Sequence, residues 1–507
     1  MFYKSHRSFV KVIALLIAFA SVFSFVGCKK YSNPDERLNY VIEESLVNEL
    51  NASLDKSIKE IDSAKADSSA VKVTIKPTLS SACLALLAAS PVDLSIINDA
   101  SIVLDTKMSK GIFEMGLGLN YKSSALISAV AHLDTLANKL FVTVPELFAN
   151  SLMLDLNELE ANDIVNVNGS GTASSAFSSL DLEARAEMLK TVKSLVNRYV
   201  DIVLKGFSGV TEEKVDLDID GVKASVTRLT VKLTQKQVVD ICRELATTAK
   251  NDTELKDLLY NILGSGYTKE EFVEDYEDEL EDFIETPDSE LVKDDSNALV
   301  LTLDVNKDDE IVGISLTALE GEDPVFGLNY ASVKTKDAFA LDLSVNSDGM
   351  TFSLAGKGET VKGISNAEYV LSIDKEEYLV FEISDFDEKA NEKGNPNFKG
   401  EMTFGKALTK GETAALGMFS FGFEVKSDDK TCELQLDVNM NNAPFVSINM
   451  LAEISDNATV TVPTNTVTDP MTFVAGMDLN GFVQKIEGSE LPEEIKSLVK
   501  ALISELE

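Results

Sequence analysis

The chain has 507 residues, 84 of them acidic and 46 basic, and its formal net charge is −38. So negative a field repels nucleic-acid phosphates and anionic lipid surfaces, and this argues against both as binding partners. The length is sufficient for a substantial hydrophobic core and for more than one domain.

The first 28 residues have the pattern of an export signal. Basic residues precede an almost unbroken apolar run over 12–26, and Gly27 and Cys28 follow where the run stops. The run is shorter than the roughly 20 residues of a bilayer-spanning helix, which favours a cleaved signal over a retained anchor. An ordinary secretory signal with an incidental cysteine is the alternative.

The end of this segment resembles the signal of bacterial lipoproteins, in which the chain is cut before a cysteine whose thiol takes a diacylglyceryl group. The resemblance implies that residues 1–27 are removed and that Cys28 is the lipid-attachment residue. It also implies an extracytoplasmic protein that is anchored by lipid to the cell envelope, in the plasma or the outer membrane.

Histidine and cysteine are too sparse for most metal and redox sites. Without the signal, His132 is the only histidine, so zinc and iron sites that need two histidines are excluded within one chain. A Ser-His-Asp triad would have to use His132, which lies in an alternating run and is expected to be a strand residue. Cys83, Cys242 and Cys432 are expected to be small buried hydrophobes. Because nucleophile-elbow and phosphate-loop motifs are also missing, we expect no catalysis, no metal and no cofactor.

Residues 28–36 form a short tether that leads directly into a helix. Asn33 is a favourable N-cap, and Pro34 suits the first helical position. Apolar residues then recur every four positions over 38–58, as expected of an amphipathic helix that buries one face.

Between about 70 and 156 the apolar period changes to two. Phe113, Met115, Leu117 and Leu119 alternate with small or polar residues, and neighbouring segments repeat this pattern. Short loops separate these segments, so we expect an antiparallel meander with one covered face.

The middle of the chain returns to helical patterns. A Gly/Ser-rich connector over 166–179 precedes an amphipathic helix over about 180–204, and a hairpin and further helical stretches follow. We assign the N-terminal helix, the sheet and these helices to a region over 37–250. The segment over 251–296 is strongly acidic but keeps apolar residues on one helical face. An acidic amphipathic helix is the favoured interpretation, and a calcium-binding acidic loop is the alternative.

One motif resembles half of a calcium-binding loop. Asp216, Asp218 and Asp220 alternate, and Gly221 follows, but the twelfth position is Thr227 where a bidentate glutamate is needed. Asp-Gly is also a favoured two-residue hairpin turn, so a solvent-facing strand edge and turn is the favoured interpretation, and a calcium site is the alternative.

From residue 297 onward the chain reads as nearly all strand, with legible turns, to about 478. We therefore expect a C-terminal antiparallel β region over 297–486 and a final amphipathic helix over 487–507.

These elements predict an α+β fold, in which one or more large curved antiparallel sheets of half-barrel type are braced by amphipathic helices. Over about 37–235 this architecture resembles the half-barrel lipoprotein carriers of the Lol type and the mycobacterial LppX type. Their curved sheet cups an acyl chain against helices. The strand over 139–147 and the acidic helical middle are also similar to uncharacterised surface or periplasmic lipoproteins of gut-type anaerobic bacteria.

The resemblance implies a non-catalytic envelope lipoprotein that binds an apolar small molecule or lipid between sheet and helices. The alternative is a structural or adhesive surface lipoprotein with a solid core and no ligand. The sequence does not specify a protein partner.

Overall fold

The computed structural model describes the following residues: 31, 33–66, 68–88, 93–109, 111–122, 124–156, 182–263, 268–347, 349–456 and 458–504. The expected signal over 1–27, the expected lipid-attachment residue Cys28 and the expected connector over 166–179 lie outside these ranges. The predicted fold class is confirmed, because the protein is α+β with a large curved antiparallel sheet and several helices. The chain divides into two compact units.

The described helices are labelled in chain order. They are α1 (Pro34–Ile42), α2 (Glu49–Ala66), α3 (Ser81–Leu86), α4 (Leu182–Lys205), α5 (Gln235–Asn251), α6 (Thr253–Leu263), α7 (Lys269–Glu285), α8 (Asp288–Leu291), α9 (Glu388–Glu392), α10 (Pro470–Ala475), α11 (Leu479–Gly488) and α12 (Glu493–Ser504). A π-helical turn (Glu43–Asn48) joins α1 to α2, and 3-10 helices occupy Leu94–Asp99 and Gly411–Met418.

The described strands follow the same convention. They are β1 (Ser69–Leu79), β2 (Ala100–Ser109), β3 (Ile112–Tyr121), β4 (Ser124–Asp134), β5 (Lys139–Thr143), β6 (Ser151–Asp155), β7 (Thr211–Ile219), β8 (Val222–Thr234), β9 (Asn297–Val305), β10 (Ile311–Glu320), β11 (Asp323–Lys334), β12 (Ala338–Ser347), β13 (Met350–Val361), β14 (Ile364–Ile373), β15 (Glu376–Asp387), β16 (Phe398–Phe404), β17 (Phe419–Ser427), β18 (Thr431–Met440), β19 (Ala443–Ser455) and β20 (Thr466–Val467).

Unit 1 has a densely filled core. It comprises Met1–Asp62, Ser170–Thr360 and Ala367–Tyr378, and its strands β7 to β13 pair in chain order, each antiparallel to the next. Helix α1 contributes Leu38 and Val41 to the same buried cluster as Leu229, Leu303 and Leu316 of β8, β9 and β10. All five side chains are almost completely removed from solvent, as expected of a close-packed interior.

The first helix begins where the sequence predicts, but it is not continuous. Asn33 accepts a hydrogen bond from the backbone N–H of Glu36 at 2.9 Å, and Pro34 occupies the first turn. The apolar stripe repeats every four residues, and such a stripe rotates by about 40° per step on a helix of 3.6 residues per turn. The π turn between α1 and α2 has more residues per turn, so it compensates part of this rotation of the apolar stripe. The one predicted helix is therefore divided into α1 and α2.

The acidic amphipathic helix is confirmed as α7. Its apolar side carries Phe272 and Tyr276, and the ring of Phe272 lies 5.7 Å from that of Tyr260 in α6. Two ion pairs attach its acidic residues to α5 and α6, namely Glu281 with Lys250 and Glu277 with Lys256. The remaining acidic residues form the solvated side that the composition predicts.

Unit 2 contains a single long series of antiparallel strands. It comprises Ser63–Gly169, Val361–Asn366 and Leu379–Glu507. The meander β1 to β6 pairs in chain order through β2, β3, β4 and β5, and on its other side β1 pairs with β19. Strand β19 continues through β18, β17 and β16 to β15. Strand β1 therefore joins the predicted meander to the C-terminal strands within one sheet.

The C-terminal strand region ends earlier than expected. After β19 only the short strand β20 follows, parallel to β6, and then helices α10 and α11 precede the predicted final helix, which is α12. Both helices start with an aspartate cap. Asp469 accepts from the backbone N–H groups of Met471 and Thr472, with Pro470 between, and Asp478 accepts from that of Gly481. The β-branched residues around α10 and α11 predict strands, but the aspartate caps favour helices, and helices form.

Candidate apolar binding face

The alternating strand over 112–121 places its large apolar residues on one side of the unit 2 sheet. Leu119 lies opposite Ile102, and Leu117 lies opposite Leu104. Because directly opposed residues of an antiparallel pair share a face, these side chains form one surface. Phe113 and Met115 extend it along β3.

The same surface continues across the neighbouring strands. Ile102 and Leu104 lie opposite Ile75 and Val73 of β1, Ile75 lies opposite Met450 of β19, and Met450 lies opposite Leu434 of β18. We call the following residues the apolar face: Val73, Ile75, Ile102, Leu104, Phe113, Met115, Leu117, Leu119, Leu434 and Met450.

Much of this apolar face is open to solvent. The exposed fractions are 40% for Ile102, 39% for Phe113, 50% for Met115, 50% for Leu117 and 42% for Leu119. The equivalent side of β8 to β10 in unit 1 is almost completely buried. Contiguous exposed apolar patches are uncommon on soluble proteins and usually mark a binding surface.

The two C-terminal helices pack against the sheet at its β3–β4 turn end. Ile486 of α11 and Leu491, just before α12, join Tyr121 of β3 and Leu126 of β4 in a small buried cluster. Tyr121 is buried, whereas Leu119, two residues before it on the same side of β3, is not. This buried cluster therefore includes neither Leu119 nor any other residue of the apolar face.

A partly buried carboxylate fastens α11 to this end of the sheet. Glu146 accepts hydrogen bonds from the backbone N–H of Ser128 at 2.9 Å and from Nζ of Lys485 at 2.9 Å. Burial alone would raise the pKa of Glu146, but the hydrogen bonds from Lys485 and Ser128 outweigh it and hold that pKa below its ordinary value. The ionised carboxylate is thus the form that holds the helix in place.

The opposite side of the same strands is polar. Glu114 of β3 accepts from Nζ of Lys107 at 2.6 Å, and Lys107 also pairs with Asp105 at 3.0 Å. The hydrogen bond to Glu114 raises the pKa of Lys107. His132 is a strand residue of β4, as predicted, and its Nε2 lies 3.1 Å from Oε2 of Glu114. Within the described part of the chain this contact is with a carboxylate rather than with a serine hydroxyl.

A cavity of about 470 Å³ also lies on the polar side of unit 2. Its lining includes Lys399, Glu424, Lys426 and Glu433, which share a side because Lys399 opposes Glu424 and Lys426 opposes Glu433. Lys426 also pairs with Glu424 at 3.0 Å. These four charged side chains disfavour an apolar ligand beside them.

The residues of the half calcium motif form a hairpin turn between β7 and β8. Asp220 and Gly221 both have positive φ angles, as a two-residue turn of type I′ requires. Asp218 accepts from the backbone N–H of Gly221 at 3.0 Å and pairs with Lys223, and Asp216 accepts from the hydroxyl of Ser225. The predicted strand and turn are confirmed.

Two of the three remaining cysteines are buried hydrophobes, as predicted. Cys83 and Cys242 are buried, whereas Cys432 is only partly buried, and all three are free thiols. Burial raises the pKa of Cys242 to about 11, which keeps this thiol protonated and unreactive.

The described ranges contain no group of three or more His, Cys, Asp or Glu side chains that could hold a metal ion. None of their helices is long and apolar enough to cross a membrane. In comparisons with known proteins, no family model matches the sequence and no curated protein is similar to it.

Proposed function

We propose that this protein is an envelope lipoprotein, anchored through Cys28, that holds an acyl chain of a lipid against the apolar face of unit 2 without catalysis. The observation that carries the proposal is the exposure of five large apolar side chains on two adjacent strands. Full burial of such a side chain is worth about 1.5–3 kcal/mol, so covering this surface with an apolar ligand yields substantial binding energy.

The dimensions of the face favour an acyl chain. Phe113 and Leu119 are six residues apart on β3, which corresponds to about 20 Å along the strand. One acyl chain spans half of the roughly 30 Å hydrocarbon core of a bilayer. Strand β3 is therefore long enough to contact a whole acyl chain along its length.

The side chains of the apolar face also favour an acyl chain as the ligand. Its residues are aliphatic, aromatic or methionine, and methionine adapts to irregular apolar shapes. The charged residues of β2 and β3 are on the opposite side, in the cluster around Glu114. The net charge of −38 disfavours anionic headgroups, so a lipid with a neutral or zwitterionic headgroup is the better match.

A matched pair of variants tests this function. Leu117→Asp places a charge in the middle of the apolar face, and Leu136→Asp places the same charge in an exposed turn outside it. Binding of a fluorescent phosphatidylcholine analogue should fall at least tenfold in Leu117→Asp and stay unchanged in Leu136→Asp. Equal affinity in both variants, or no binding by the parent protein, would favour the structural or adhesive alternative.

A further inference from the structure

The first described residues of the chain are fixed to unit 1 through one buried carboxylate. The Tyr31 hydroxyl donates to Oδ2 of Asp309 at 2.9 Å, and Nε and Nη2 of Arg37 donate to Oδ1 of Asp309 at 3.0 and 2.6 Å. Asp309 lies in the turn between β9 and β10 and is buried. Charge-assisted contacts of this kind are among the stronger hydrogen bonds in proteins.

Two further hydrogen bonds hold the same segment to residues at the start of β7. Asp35 accepts from the backbone N–H of Val210 at 2.7 Å, and Nη1 of Arg37 donates to Glu212 at 2.9 Å. The next residues of α1, Leu38 and Val41, are in the unit 1 core. The chain is therefore held to unit 1 from Tyr31 onward.

The distance from this attachment to the proposed lipid anchor is short. Cys28 precedes Tyr31 by three residues, which span at most about 11 Å when fully extended. A lipid on Cys28 places that residue at the bilayer surface, so Tyr31 lies at most about 11 Å from it, close to one Debye length. The turn around Asp309 is held next to Tyr31 by the hydrogen bond between them.

We infer that the end of unit 1 that carries the β9–β10 turn faces the membrane and contacts zwitterionic lipid headgroups. This inference rests on the proposed lipid attachment at Cys28. The turn carries Lys307 beside Asp308 and Asp309, so it has no excess of positive charge to attract anionic lipid. The ten residues of β10 then run about 34 Å to the β10–β11 turn at the other end of the same strand.

Two labelling positions, in the turns at the two ends of β10, test this orientation. Lys307 is exposed in the β9–β10 turn, and Glu322 is exposed in the β10–β11 turn. Lys307→Cys and Glu322→Cys, each in a background with Cys83, Cys242 and Cys432 replaced by alanine, would carry a fluorophore. The lipidated proteins would be reconstituted into phosphatidylcholine vesicles that contain a headgroup spin-label quencher.

We expect at least threefold stronger quenching at position 307 than at position 322. Equal quenching at the two positions, or stronger quenching at 322, overturns the orientation. Detergent partitioning of the same samples separates the two claims, since protein that stays in the aqueous phase refutes the lipid anchor, and the orientation with it. Protein that partitions into detergent but shows equal quenching refutes the orientation alone.

A linker variant provides a control that leaves the Asp309 contacts intact. Insertion of 20 Gly/Ser residues between Lys30 and Tyr31 adds an average reach of about 25 Å. The quenching difference between positions 307 and 322 should then disappear, while detergent partitioning is retained. A difference that persists with the long linker would mean that something other than the short tether orients the protein, and it would overturn the inference.

Discussion

Leu117 of β3 lies directly opposite Leu104 of β2, and yet half of the Leu117 surface is exposed to solvent. In unit 1 the comparable cross-strand pair of Leu303 and Ile314 is buried. Both sets of strands show the same alternation in sequence, but among the described residues only the strands of unit 1 have their apolar side filled. The proposed lipid-binding function follows from that difference.

Truncation of Leu303 and truncation of Leu117 should lower the stability of the protein by different amounts. Leu303→Ala removes a fully packed side chain and should lower the free energy of unfolding by about 2–5 kcal/mol. Leu117→Ala should cost less than about 1.5 kcal/mol, because half of the Leu117 surface stays exposed to solvent in the folded protein. Urea denaturation of each variant against the parent measures both values. Equal losses would show that Leu117 is packed as a core residue.

A glycine on the apolar side of β16 should be intolerant of any side chain. Gly400 lies opposite Phe423, and a Cβ at Gly400 would be 2.0 Å from the Phe423 ring. Gly400→Ala should therefore destabilise the protein by about 1–3 kcal/mol. At Gly422, on the neighbouring strand, a Cβ would meet its nearest atom at 3.4 Å, so Gly422→Ala should have little effect.

Thermal melting of these two variants, of Phe423→Leu and of the double variant Gly400→Ala/Phe423→Leu checks the contact. Phe423→Leu in the Gly400→Ala background should recover part of the lost stability, since residues in contact do not act additively. Additive losses would contradict the placement of the Phe423 ring over Gly400.

Asp252 should make the stability of unit 1 dependent on acid pH. Burial alone would raise the pKa of Asp252, but hydrogen bonds from Arg198, the backbone of Leu255 and Tyr199 outweigh it and lower that pKa. A carboxyl group with a lower pKa in the folded state stabilises the fold above its unfolded pKa of about 4. This contribution is lost as the pH falls through the lower folded value.

Denaturation midpoints between pH 2 and pH 7 measure this effect. Asp252→Asn should be less stable than the parent at pH 7 and should lose less stability on acidification. Asp308→Asn, at an exposed turn, is the matched control and should keep the pH profile of the parent. A parental profile in Asp252→Asn would refute the role assigned to Asp252.

The proposed lipid anchor depends on the thiol of Cys28. Cys28→Ser removes that thiol, so the variant should move from the detergent phase to the aqueous phase on phase separation. Cys432→Ser, at a partly buried strand position, should partition as the parent does. Unchanged partitioning of Cys28→Ser would refute the lipid attachment.

The local features of the fold could be read from the sequence, because they depend on neighbouring residues. The cap at Asn33, the turn at Asp220 and Gly221 and the alternation of β3 all occur as predicted. The pairing of β1 with β19 could not be predicted, since many strands have compatible alternation and the choice depends on the folded sheet. The solvent exposure of the apolar face could not be predicted from the sequence either. A period of two indicates that one side of a strand is apolar, but it does not indicate which residues cover that side.

The most direct test of the central claim is native mass spectrometry of the lipidated parent protein and of Leu117→Asp, both purified under mild conditions. We predict that the parent carries an additional mass equal to a lipid, beyond that attached at Cys28, and that organic extraction removes it. Leu117→Asp should lack this mass while keeping the Cys28 modification. A parent protein that shows only its covalent mass, with no lipid in the extract, would contradict the proposed function.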